Sequence, residues 1–194
     1  MLTCEDGIYG FLRPDQPPLA ALAPERVVMA DSLSKRLAPG LTLGFLVTPA
    51  QLTAKAATAL RSETWMASRF ALDAATQWMS DGTAAEIERT KRQDAAVRQR
   101  IAAERLAGFT VRADPCAYRC WWELPDPWRA ETFVAAAARR GISVTPAGAF
   151  AVGPGHAPNA VRLALSSPPP DTLSHALGVL AELAHGTPDD AGPD

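Results

Sequence analysis

The sequence predicts an α/β protein in which a piece of sheet around a lysine-bearing turn is followed by helices and then by a small α+β unit. Three observations predict this. Two apolar, β-rich runs, Val27 to Met29 and Leu43 to Val47, flank the turn-rich stretch DSLSKRLAPG, the pattern of two buried strands and their connection. A long helical pattern occupies about residues 84–107. After Gly108 the period changes, and short strand patterns alternate with helical ones to about residue 185, which is the signature of mixed α and β layers.

Composition narrows the function classes. At 194 residues with 47% hydrophobic content, the chain is long enough for a real core in one domain or two small ones. A formal net charge of −2 offers no electrostatic case for nucleic acid or an anionic membrane. Cys4, Cys116 and Cys120 form no even disulfide framework, so reduced thiols and a cytoplasmic setting are expected. The start lacks the basic-then-apolar pattern of a signal peptide, and no apolar run is long enough to span a bilayer.

Taken in order, MLTCE reads as the end of a strand, and Asp6-Gly7 as a turn. Residues 13–24 are proline-rich and read as a surface loop. From Pro49, Leu52, Ala56, Ala59 and Leu60 fall at helical spacing, interrupted at 61–68. A helix resumes over 69–81, with Phe70, Leu72, Ala75, Trp78 and Met79. Gly82 ends it, and Thr83 reads as the N-cap of the next helix, with Glu86 completing a capping box. That long helix interleaves its charges, pairing Glu88 with Arg92 and Asp94 with Arg98, so a solvated, salt-bridged face is expected. Beyond Gly108, Phe109–Arg112, Arg119–Leu124, Ile142–Thr145 and Val161–Leu165 read as strands. Ala130–Arg140 and Asp171–His185 read as helices, and the tail from Gly186 as disordered.

Few residues carry chemistry. There is no Walker motif, no G-x-G-x-x-G and no serine elbow. His156, His175 and His185 have no metal-like spacing, and Cys116 and Cys120 have no second pair, so no metal site is expected. The five tryptophans, Trp65, Trp78, Trp121, Trp122 and Trp128, read as core or interface. Lys35 sits between Ser34 and a Pro-Gly turn, with Ser32 nearby. An amine on a rigid connection can form a Schiff base with an aldehyde cofactor, the two hydroxyls donating to a phosphate. Alone, the tetrapeptide S-x-S-K is better read as a solvated turn. Arg162 lies between apolar strand residues, where a planar bidentate fork suits a carboxylate. A strand-edge arginine facing solvent is an equal reading.

The surroundings of Lys35 change that weighing. Ser32, Ser34, Lys35, Leu37, Pro39, Gly40, Leu41 and Gly44 match the pattern S-x-S-K-x-L-x-P-G-L-R-x-G. This segment resembles the lysine segment of fold-type I pyridoxal 5'-phosphate (PLP) enzymes, nearest to the aminotransferase-like domain of MocR-type GntR regulators. Glu5, Asp6 and Tyr9 match an upstream E-D-x-x-Y, and Arg162-Leu163 falls on a strand of R-L type. One position departs: Thr42 stands where the pattern places a phosphate-binding arginine.

The resemblance implies a fold, roles and partners. The fold is the C-terminal part of the fold-type I transferases: the end of the large-domain sheet over 1–62, connecting helices over 63–107, a small α+β domain over 108–185 and a tail over 186–194. Lys35 is then the cofactor-binding and catalytic lysine. Asp6 faces the pyridine nitrogen, keeping it protonated so that the ring accepts electrons. Tyr9 hydrogen-bonds the ring oxygen, Ser32 and Ser34 the phosphate, and Arg162 the substrate carboxylate. The expected function is amino-group transfer between an amino acid and a 2-oxo acid. The alternative is a PLP- or amino-acid-sensing effector domain of a regulator, whose winged helix-turn-helix lies upstream in that family. The resembled proteins carry a long upstream segment, so the chain is expected to be truncated and weak alone. Full-length members of the family are homodimers.

Overall fold

The computed structural model describes residues 1–63, 67–153 and 157–189, without the side chain of Glu63. Trp65, His156 and the end of the tail therefore lie outside the described residues. The chain divides into two compact units, Met1–Arg92 and Gln93–Asp194.

The first unit is built on a three-stranded sheet of order β1-β2-β3, formed by Thr3–Asp6, Val27–Ser32 and Gly44–Val47. β1 and β2 run parallel, with Asp6 opposite Ala30, and β3 is antiparallel to β2, with Gly44 opposite Ser32. Gly7 carries the pairing one residue past β1, its N–H donating to the Ala30 carbonyl at 2.8 Å. A Cβ there would stand 3.2 Å from the Met29 sulfur, a tight contact that the methionine side chain would have to yield to.

The proline-rich stretch is not wholly loop. Its end forms a helical turn, α1 (Leu19–Leu22), whose first N–H groups need acceptors. The Glu5 carboxylate supplies them, accepting from Leu19 N and Ala20 N at 2.9 Å each. The lysine connection is likewise a turn of helix, α2 (Leu33–Arg36).

Three longer helices follow: α3 (Ala50–Glu63), α4 (Arg69–Ser80) and α5 (Thr83–Arg105). Leu33, Leu37, Leu41, Ala71, Ala75 and Ala84 form the unit's apolar cluster, with Trp78 and Ile87 against it. The expected capping box at Thr83 is replaced. Thr83 is already helical, and the upstream Asp81 carboxylate accepts its N–H at 2.9 Å, which holds Asp81 below the usual carboxylate range. Glu86 pairs with Arg89 instead of reaching back.

The second unit contains a four-stranded antiparallel sheet of order β4-β5-β7-β6. Its strands are β4 (Val111–Ala113), β5 (Arg119–Glu123), β6 (Thr145–Pro146) and β7 (Ala160–Ala164). The first and third are shorter than the sequence pattern implies: Phe109 and Ile142 pack against the core from outside strands. Two helices complete the unit, α6 (Ala130–Arg139) and α7 (Pro170–His185). Ala130, Phe133, Ala136 and Ala137 line one face of α6, and Leu173, Leu177, Leu180 and Leu183 one face of α7, the spacing of a helix with one buried stripe. Trp128, Trp122 of β5 and Phe133 of α6 are fully buried, and Phe133 meets each indole edge to face at 5.3–5.4 Å.

The charged face expected on the long helix is partly buried. Arg98 is 8% exposed. It pairs with Asp94 at 2.8 Å and donates to the carbonyls of Leu165 and Pro168 at 2.6 Å each. Gln99 donates to Ala117 and Arg119 carbonyls. These two side chains close backbone groups that β5 and β7 leave unpaired.

Candidate functional site

Parallel β1 and β2 end at the same edge of the first sheet, and the chemistry-bearing residues follow both ends. In open α/β sheets this carboxyl-terminal edge is where ligands sit. Asp6 is the last residue of β1 and is exposed; its Oδ1 accepts from Ile8 N at 3.0 Å, shaping the turn that leads to half-buried Tyr9. Ser32 is the last residue of β2, and Ser34 and Lys35 lie in α2 directly after it. Asp6, Tyr9, Ser32, Ser34 and Lys35 therefore all stand within five residues of the last parallel pair, Asp6 and Ala30.

The turn carrying Lys35 is held from below. Leu33 and Leu37 are buried, which leaves the intervening Lys35 side chain exposed. Ser32 caps the turn: its Oγ accepts from Ser34 N at 3.2 Å and lies 2.7 Å from Ser34 Oγ. Asp31, 7% exposed, is the anchor. Its Oδ1 accepts from Ser32 N at 2.6 Å, and its Oδ2 accepts from Arg36 at 2.5 Å. Arg36 also donates to Glu88 at 2.8 Å and lies over the Phe11 ring at 5.4 Å. Burial opposes its charge, but the Glu88 and Asp31 carboxylates outweigh that and hold the guanidinium above its ordinary value. Arg36 is thus committed to two carboxylates. Thr42, in the loop before β3, is exposed.

Arg162 belongs to the second unit. It sits in β7 opposite Trp121 of β5 and Thr145 of β6. Its guanidinium lies over the Phe150 ring at 4.7 Å, and its buried Nε has no hydrogen-bond partner among the described residues. Phe150 in turn approaches Trp121 at 6.2 Å. A guanidinium stacked on an aromatic face with an unused buried donor has capacity left for an anion.

Sequence reasoning missed Asp31, Glu88, Lys91 and Phe150. Asp31 stands next to the matched serine, but it pairs with Arg36 five residues on, from strand to helical turn, a spacing that no local pattern marks. Glu88 was assigned only to Arg92, which it does approach at 3.7 Å. Nothing local in the sequence ties Glu88 to Arg36, because the contact depends on how α5 packs.

Comparison with known proteins agrees with this architecture. No family model matches the chain. An uncharacterized helix-turn-helix-type transcriptional regulator of Bacillus subtilis (strain 168), YdeF, is 28% identical over 185 residues, covering 94% of this chain and 40% of the regulator. An archaeal alanine:glyoxylate aminotransferase superposes with a TM-score of 0.83 at 22% identity, over 95% of this chain and 48% of that one. The Pyrococcus horikoshii kynurenine aminotransferase gives 0.81 at 23%, over 95% and 48%. A probable N-succinyldiaminopimelate aminotransferase of Thermus thermophilus gives 0.78 at 25%, over 94% and 50%. The chain has the fold of the fold-type I aminotransferases and spans about half the length of those it matches. The similarity to a helix-turn-helix-type regulator fits the MocR-like resemblance read from the motifs.

Proposed function

We propose that this chain binds PLP through Lys35 and belongs to the machinery of amino-group transfer between an amino acid and a 2-oxo acid. The observation that carries the reading is the gathering of Asp6, Tyr9, Ser32, Ser34 and Lys35 at one edge of two parallel strands. When bound, PLP supplies an electron-accepting ring that stabilises charge at a substrate α-carbon.

The residues fit that group at most points. Lys35 offers an exposed amine that attaches an aldehyde and moves a proton at the substrate α-carbon. Asp6 offers an exposed carboxylate for a protonated ring nitrogen. The adjacent hydroxyls of Ser32 and Ser34 offer donors to a phosphate. Arg162, in the second unit, is assigned the substrate carboxylate by the resemblance, its planar fork suiting that group. The fit is poorer at the phosphate. Thr42 replaces an arginine, and the nearby Arg36 already spends both terminal nitrogens on Glu88 and Asp31.

A second reading, the effector domain of a regulator that senses PLP or an amino acid, is favoured by the regulator similarity over 94% of the chain. A coupled assay with PLP, a panel of amino acids and 2-oxoglutarate, with Lys35→Ala as control, separates the two. The expected result for the chain alone is PLP binding with poor turnover. Turnover on the order of 1 per second or faster, lost in the control, is the signature of a competent enzyme. Thr42→Arg should tighten PLP binding about tenfold by adding a charge-assisted contact. Equal affinity in a titration places the phosphate elsewhere.

A further inference from the structure

The four-residue helix α2 is far too short to be stable by itself. Its last carbonyls have no acceptor role inside so short a helix. One of them, the carbonyl of Lys35 itself, accepts from Lys91 Nζ at 2.8 Å. A cation at a helix C-terminus both satisfies an orphan carbonyl and complements the helix dipole. Lys91 lies on α5 three residues beyond Glu88, which holds Arg36 of the same turn at 2.8 Å. One face of α5 therefore grips α2 at two consecutive residues. Burial, and then the charge of Lys35, lower the pKa of Lys91. Its ammonium nonetheless stands at the Lys35 carbonyl, close to a second positive charge.

We propose that Lys91 is a positioning residue for Lys35: by capping the lysine's own carbonyl it fixes the turn that presents Lys35 Nζ to an aldehyde ligand. The proposal rests on the reading of Lys35 as the aldehyde-binding amine.

The test uses the full chain as wild type, Lys91→Met and Lys91→Arg. Methionine keeps the length of the stem and removes the charge and the donors. Hydrogen exchange is followed over Leu33–Leu37 and, as a control in the same sheet, over Thr3–Asp6. The same proteins are treated with PLP and borohydride and mapped for labelled lysine. Lys91→Met should speed exchange about tenfold at Leu33–Leu37, leave Thr3–Asp6 unchanged and reduce the labelled share of Lys35. Lys91→Arg should restore both. Unchanged exchange at Leu33–Leu37, an equal rise at Thr3–Asp6, or labelling of Lys35 unaffected in Lys91→Met overturns the positioning role while leaving the reading of Lys35 intact. Absence of label on Lys35 in all three proteins removes that reading, and the proposal with it, whatever the exchange shows.

Discussion

The two units are packed very differently. The second holds a continuous core of Trp122, Trp128, Phe133, Val161, Leu165 and the leucines of α7, all nearly or fully buried. The first buries fewer large side chains, with a cluster of three leucines and three alanines and, besides it, Phe11, Leu12 and Val27, and leaves other large apolar side chains open. All of β3 is exposed, with Phe45, Leu46 and Val47 at 42–45%, and Phe70 reaches 82%. The unit that carries the lysine is the one with less burial to stabilise it. It compensates with polar anchors: Glu5 on α1, Asp31 and Glu88 on Arg36, and Lys91 on the Lys35 carbonyl. The difference teaches that local order around a reactive side chain can come from a hydrogen-bonded frame where the apolar core is thin.

Truncation gives the largest contrast. Trp122→Ala removes a fully buried indole that packs on Phe109 and Phe133, and should cost about 3–5 kcal/mol by denaturant unfolding. Leu33→Ala, within a cluster half made of alanine, should cost nearer to about 2 kcal/mol, the lower end for a buried leucine. Equal losses would show that the first unit is packed as tightly as the second.

High pH should weaken the second unit selectively. Burial pushes the Cys120 thiol up to about 11 from its ordinary 9.0. Burial, followed by Asp94, raises Tyr118 as well. For both, the unfolded chain ionises first and binds fewer protons. The stability from keeping Cys120 neutral is therefore complete below pH 9.0 and is lost as pH rises to about 11. Unfolding followed across that range should show the decline, and Cys120→Ala should shallow it. An undiminished slope in the variant excludes Cys120 as a cause.

Much of the fold was legible in the sequence, and the reasons are local. The stripes of α6 and α7, the strands around Lys35 and the run of β7 follow directly from periodicity, and the motif order of Asp6, Lys35 and Arg162 pointed to the fold. The misses were long-range or chemical. Proline masked α1, whose order comes from Glu5, 14 residues upstream of Leu19. The interleaved charges of α5 read as solvated, yet Arg98 is buried because its donors answer backbone carbonyls 67 and 70 residues away. No local pattern encodes such pairings.

The smallest effect on stability, with the clearest effect on behaviour, is expected at β3. An edge strand with open apolar side chains favours association. Leu46→Lys should change stability by no more than about 0.5 kcal/mol and reduce concentration-dependent association in sedimentation. Unaltered association moves the sticky surface away from this strand.

The central claim is that Lys35 is the amine this fold presents to PLP. Borohydride reduction after PLP addition, followed by peptide mapping, tests it directly, because the chain contains only Lys35, Lys55 and Lys91. Label is expected on the peptide bearing Lys35, and its loss in Lys35→Ala. Label falling chiefly on Lys55 or Lys91, or on none of the three, would contradict it.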